Sequence, residues 1–174
     1  HNTAIGNEAL HVNTTGTQNI AIGNYAADAN TTGNYNVAVG YNALTTQTTA
    51  ERNTAIGQSA LKLNTGSYNT AVGQGALNDN STGAGNAALG YNALSSNTTA
   101  SKCTAVGFNA AASSTATNQT AMGYDALRNC TTGKENTAIG TEALFTCTTS
   151  TENVAVGYYS LYALTTGSYN TAVG

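Results

Sequence analysis

The chain has 174 residues, with five Lys or Arg against eight Asp or Glu, a net charge of −3, no Pro and no Trp. So few charges exclude a charge-rich disordered chain, and the scattered cations Arg52, Lys62, Lys102, Arg128 and Lys134 give no basic stripe for nucleic acid. No apolar run reaches the roughly 18–20 residues that cross a bilayer as a helix, so no membrane insertion of this segment is expected.

The first element is Asn2-Thr3-Ala4-Ile5-Gly6, and the chain repeats it. Variants occupy residues 19–23, 36–40, 53–57, 69–73, 86–90, 103–107, 119–123, 136–140, 153–157 and 170–174. The motif glycines lie 17 residues apart, with 16-residue steps only from Gly57 to Gly73 and from Gly107 to Gly123. A short fixed period marks a solenoid, in which each unit buries its apolar face only by stacking on its neighbours. Residues 1–174 therefore read as one continuous array. The sequence begins one residue before a motif and ends on the Gly of another, so both ends cut through the repeat, which is expected of a segment of a longer or stacking fibre.

Within one coil, the β-branched and aliphatic residues of Thr3-Ala4-Ile5 predict a short strand. Gly6 supplies a tight corner. Ala9-Leu10 reads as a second short apolar strand, and residues 11–18 as a polar loop rich in turn formers. The fold class expected is an all-β parallel β-solenoid, or β-roll, of about ten 16–17-residue coils with almost no helix.

Stacking turns each motif position into a column. The middle position is Ala throughout, from Ala4 to Ala172. The next position is Ile5, Ile22, Val39, Ile56, Val72, Leu89, Val106, Met122, Ile139, Val156 and Val173. Adjacent strand residues point to opposite faces, so only one of these columns faces inward. The small Ala suits a narrow interior, and the aliphatic column then forms an apolar stripe on the outside, suited to packing chains side by side. The converse arrangement puts the bulky column inside and covers the Ala column with loops. A further apolar column runs from Leu10 through Leu44, Leu61 and Leu77 to Leu161. A slower rhythm is superimposed, because the Gly-free loops 45–52, 95–102 and 145–152 recur every 50 residues.

The loops carry a hydroxyl column: Thr14, Thr31, Thr48, Thr65, Ser81, Thr98, Thr115, Thr131, Thr148 and Thr165. It has three readings. One is a ladder that satisfies loop backbone groups. Another is glycan attachment at Asn-x-Ser/Thr sites such as Asn13, Asn30, Asn80, Asn97, Asn118 and Asn129. The last is a water-ordering array of the ice-binding kind, although loops of varying length are not expected to be flat. Tyr41, Tyr91, Tyr124 and Tyr158 follow the motif Gly, where they pack over the corner or present a binding surface.

Cys130 and Cys147 lie one full coil apart, 17 residues, in a slot that is Asn in most other coils. Register stacking puts their Cα atoms about 4.8 Å apart, within the roughly 4.4–6.8 Å of a disulfide. A bond between them, or two stacked free thiols, fits that spacing; a bond suits an oxidising extracellular setting. Cys103 replaces a motif Asn in another column and is expected to stay unpaired within the chain. No catalytic constellation is visible. His1 and His11 are the only imidazoles and the acids are isolated, so an enzyme, a cofactor and a metal site are not expected. Glu135 and Glu152 share one slot in successive coils, as two solvated carboxylates or around a shared cation.

The motif Asn-Thr-Ala-Ile-Gly-x-x-Ala resembles the head repeat of trimeric autotransporter adhesins (YadA-like heads), whose signature is Ser-Val-Ala-Ile-Gly, and similar repeats of phage tail fibres. The resemblance covers the whole chain. It implies a left-handed parallel β-roll with three chains side by side, at the extracellular tip or shaft of a fibre that adheres to host matrix or cells. The implied partners are copies of itself, as trimer or filament, and a host surface. The coil here is longer by a few residues, and no ligand-contacting residue carries over. The function expected is a structural or adhesive repeat of an extracellular, cell-surface or virion fibre. The competing expectation is a solenoid that binds ice or glycan.

Overall fold

The computed structural model describes His1–Gly174. Eleven strands of three residues run from β1 (Thr3–Ile5) through β6 (Ala87–Leu89) to β11 (Thr171–Val173). They form a single parallel sheet whose spatial order is the sequence order. Register follows the motif. Thr3 opposes Ile20, Ala4 opposes Ala21 and Ile5 opposes Ile22, and the last pair of strands sets Ala155 against Ala172. The chain is the expected all-β parallel solenoid of about ten coils, without a helix. At the usual strand spacing, ten steps make a rod about 48 Å long.

Each strand is amphipathic over its three residues. The central Ala is buried in every strand between the end coils, while both flanking side chains are exposed or half-buried. The Ala column therefore faces in and the aliphatic column faces out. Ile5, Ile56, Leu89 and Met122 are 59%, 40%, 50% and 42% exposed. The corner after each strand requires Gly. Gly6 sits at φ 133°, and a Cβ there would lie 2.6 Å from the carbonyl carbon of Gly23 in the next coil. Coils stack too closely at this corner for any side chain.

The second apolar step is not a strand. Ala43 and Leu44 are both fully buried, which a strand forbids to neighbours. The backbone achieves it by entering the left-handed region at alternate residues: Asn42 has φ 56° and Leu44 φ 56°. The same pattern gives Ser59 and Leu61 φ values of 57° and 50°. Hydrogen bonds then alternate in direction. The Leu44 N–H donates to the Ala60 carbonyl of the following coil, and the Asn42 N–H donates to the Asn24 carbonyl of the preceding one. A left-handed Leu costs about 1–2 kcal/mol. Burying a Leu side chain completely returns roughly 1.5–3 kcal/mol, so the strained turn wins wherever it delivers Leu to the core.

Candidate functional site

The outer face of the sheet is the site that the fold presents. Two columns stand on it. The first strand position gives Thr3, Ile20, Val37, Thr54, Thr70, Ala87, Thr104, Thr120, Thr137, Val154 and Thr171. The third position gives the aliphatic column from Ile5 to Val173. Neither column contains a charged residue, although both are exposed or half-buried from end to end. In-register pairing holds these side chains on parallel rungs.

The threonines of this face differ from those of the loops. The Thr14 hydroxyl donates to the Thr31 carbonyl at 3.0 Å, Thr31 to Thr48 at 3.0 Å, and Thr65 to Ser81 at 2.7 Å. Ser81, Thr115, Thr131 and Thr148 continue the pattern toward the backbone of the next coil. The loop column is thus a side-chain-to-backbone ladder. It lapses at Thr48 and Thr98, in two of the loops that lack the Gly; there Ala50 and Ala100 fill the Gly slot and are buried. On the strand face, by contrast, the hydroxyls of Thr3, Thr54, Thr70, Thr104, Thr120, Thr137 and Thr171 bond to no protein group and are presented outward. Sequence reasoning that weighed only the loop threonines passes over this second column. Its signal is the Thr two residues before the outward aliphatic in seven of the eleven strands.

The motif Asn also has a role that its recurrence announces and its chemistry explains. Asn19, Asn36, Asn53, Asn69 and Asn86 are buried in the interior. The Asn69 N–H donates to Asn53 Oδ1 at 2.9 Å, and Asn69 Oδ1 accepts from the Asn86 N–H at 3.0 Å. Its Nδ2 crosses the coil to the Gly83 carbonyl at 2.8 Å. Each Asn side chain therefore satisfies the backbone of the next coil and the turn across the interior. A second interior column bonds rung to rung in two runs, Asn13–Asn30–Gln47 and Asn64–Asn80–Asn97, as in Asn97 Nδ2 to Asn80 Oδ1 at 2.7 Å; between the runs Gln47 Oε1 is buried without a partner. This corrects the glycan reading at three positions. Asn30, Asn80 and Asn97 are fully buried and their Nδ2 groups are committed.

The cysteines extend both columns. Cys130 and Cys147 take two successive rungs of the second column, with Cα atoms 4.5 Å apart, and their sulfurs are joined. Cys103 takes a rung of the motif column, buried and unpaired. Its backbone N–H still donates to Asn86 Oδ1 at 3.0 Å, and its Sγ reaches the Ala116 carbonyl at 3.2 Å. Burial pushes its thiol up, against opposing help from the Gln119 and Asn118 N–H groups that face the sulfur. A buried thiol raised in this way is not a nucleophile.

Aromatic side chains rim the strand face. Tyr91, Phe108 and Tyr124 stack at 4.9 and 5.5 Å, nearly parallel. On the opposite rim, the Arg52 guanidinium lies between the Tyr35 and Tyr68 rings, 5.2 and 5.5 Å from their centroids, and pairs with Glu51. The post-Gly rings of Tyr91, Phe108 and Tyr124 pack on one another while staying 42%, 44% and 49% exposed. No three His, Cys, Asp or Glu side chains converge on one point.

Compared with protein-family models, curated proteins and solved structures, the chain matches none. The site is accordingly read from its own geometry: a long, uncharged strip of aliphatic side chains and unpaired hydroxyls on a rigid sheet.

Proposed function

We propose that this chain is a structural segment of an extracellular fibre, a surface adhesin or phage tail-fibre head or shaft, that assembles with copies of itself through the strand face. The observation that carries the reading is the unbroken, uncharged, outward aliphatic column from Ile5 to Val173. A soluble monomer seldom leaves so long an apolar strip uncovered. Three residues wide and about 48 Å long, the strip covers on the order of 500 Å², a size at which an apolar patch commonly marks an interaction site. The Cys130–Cys147 link supports an oxidising, extracellular setting. Lateral packing by this face leaves the loop side free to meet a host surface.

The test is Ile56→Asp with Val72→Asp, followed by sedimentation velocity. Two carboxylates in a buried strip are costly, so the assembly is expected to fall to monomer while the circular dichroism spectrum keeps its β form. An assembly indifferent to both substitutions would overturn the reading.

A second reading is favoured by the unpaired hydroxyls. Regularly spaced hydroxyls and methyls on a rigid uncharged sheet can order water, as an ice-binding surface does. The strand face, not the loop column, is where this would occur. Measurement of thermal hysteresis separates the two: clear hysteresis, lost on Thr70→Tyr, selects the second reading, and its absence discards it.

A further inference from the structure

The two columns of the strand face are chemically unlike, and this constrains how two copies can meet. One column is aliphatic at every rung, and the other carries seven unpaired hydroxyls. Consider two rods packed strand face to strand face. If a two-fold axis runs along the rods, the copies are parallel and the Thr column of each lies against the aliphatic column of the other. The hydroxyls are then buried against hydrocarbon without partners, which is the costly way to bury them. If the two-fold axis is perpendicular to the rods and lies in the plane of the interface, Thr meets Thr and aliphatic meets aliphatic. A hydroxyl both donates and accepts, so facing threonines satisfy each other.

Resting on the reading that the face binds a second copy, we propose that the two copies pair face to face and antiparallel, centred on Ala87 and Leu89 of β6. The order of residues along the Thr column supports that centre. It sets Thr3 against Thr171, Thr54 against Thr120, and Thr70 against Thr104, leaving only Thr137 opposite an aliphatic, Val37. Sliding the partner by one coil pairs only Thr54 with Thr104 in one direction, or Thr54 with Thr137 and Thr70 with Thr120 in the other. Ala87, facing its own copy at the centre, is the smallest side chain of the column. The absence of charge on the face removes any electrostatic preference for the parallel arrangement. A side-by-side parallel trimer, as the resemblance implies, brings the Thr edge of each chain against the aliphatic edge of the next.

The experiment uses the whole chain with single nitroxide labels at Thr3→Cys or at Thr70→Cys. The native cysteines do not interfere, because Cys103 is buried and Cys130 and Cys147 are joined. Pulsed electron-electron double resonance reads the long distance between the labels of two copies, and dipolar broadening of the continuous-wave spectrum reads the short ones. Antiparallel pairing about Ala87 predicts about 48 Å between the Thr3 labels and about 10 Å along the rod between the Thr70 labels, plus the sheet separation of about 10 Å. Short distances from both labels would mean parallel copies and overturn the pairing, while leaving self-assembly intact. A dimer with a long Thr3 distance but a Thr70 separation displaced by a coil or more overturns the centre. No intermolecular distance from either label, together with a monomer mass for the unlabelled chain, overturns the self-assembly on which the proposal rests.

Discussion

Replacing Asn69 with Ala removes one rung of the interior amide ladder, and the structure fixes what is lost. The Asn69 side chain accepts from the Asn86 N–H at 3.0 Å and donates to the Gly83 carbonyl at 2.8 Å and to Asn64 Oδ1 at 3.2 Å. Both acceptors keep another donor, Asn80 Nδ2. The Asn86 N–H keeps none and is left buried. An orphaned buried donor costs about 1–3 kcal/mol, and the emptied amide site adds to it, so Asn69→Ala is expected to destabilise by about 2–4 kcal/mol. The chain contains the reverse experiment. At Cys103 the ladder is already interrupted, because a sulfur stands where Oδ1 would accept from the Gln119 N–H. Cys103→Asn restores the acceptor and is expected to stabilise by about 1 kcal/mol. Urea unfolding followed by circular dichroism and by tyrosine fluorescence checks both, and coincident transitions license a single free energy for a repeat array. Asn69→Ala within about 0.5 kcal/mol of the parent, or Cys103→Asn destabilising, would refute the ladder as a source of stability.

Three further outcomes are expected. Unfolded, unreduced chain titrated with a thiol reagent should show one free thiol, Cys103; three would mean that Cys130 and Cys147 are not joined. Gly40→Ala should lower the melting temperature sharply, since Gly40 has φ 135° and a Cβ would lie 2.6 Å from the Gly57 carbonyl oxygen; a melt unchanged from the parent would contradict the close stacking of the corner. Thr31→Val should change stability by no more than about 0.5 kcal/mol, because the Thr31–Thr48 bond of the loop ladder is exposed and water replaces it.

Much of this architecture is legible in the sequence because a solenoid converts period into register. The spacing of the motif Gly is enough to stack Ala4 on Ala21 and Cys130 near Cys147. The Ala column is legible as interior because only a small side chain fits there. The second apolar step is not. Ala43-Leu44 reads as a strand by composition, but both side chains are delivered inward by left-handed residues, and a Leu at φ 56° is an exception to backbone preference paid back by burial. The buried Asn columns were visible as repetition without a reason, since Asn is ordinarily a surface and turn residue. Only the coil's own geometry shows its carboxamide spanning from one backbone to the next. The strand-face threonines were visible for the same reason and equally silent, because whether a hydroxyl is satisfied depends on neighbours that spacing does not specify.

The claim that the strand face joins copies of this chain is tested most directly by native mass measurement of the unmodified protein across a dilution series. The account predicts a defined oligomer that persists into dilute solution and dissociates only at low concentration, as an extended uncharged contact between rods should. A stable monomer at every concentration would contradict it.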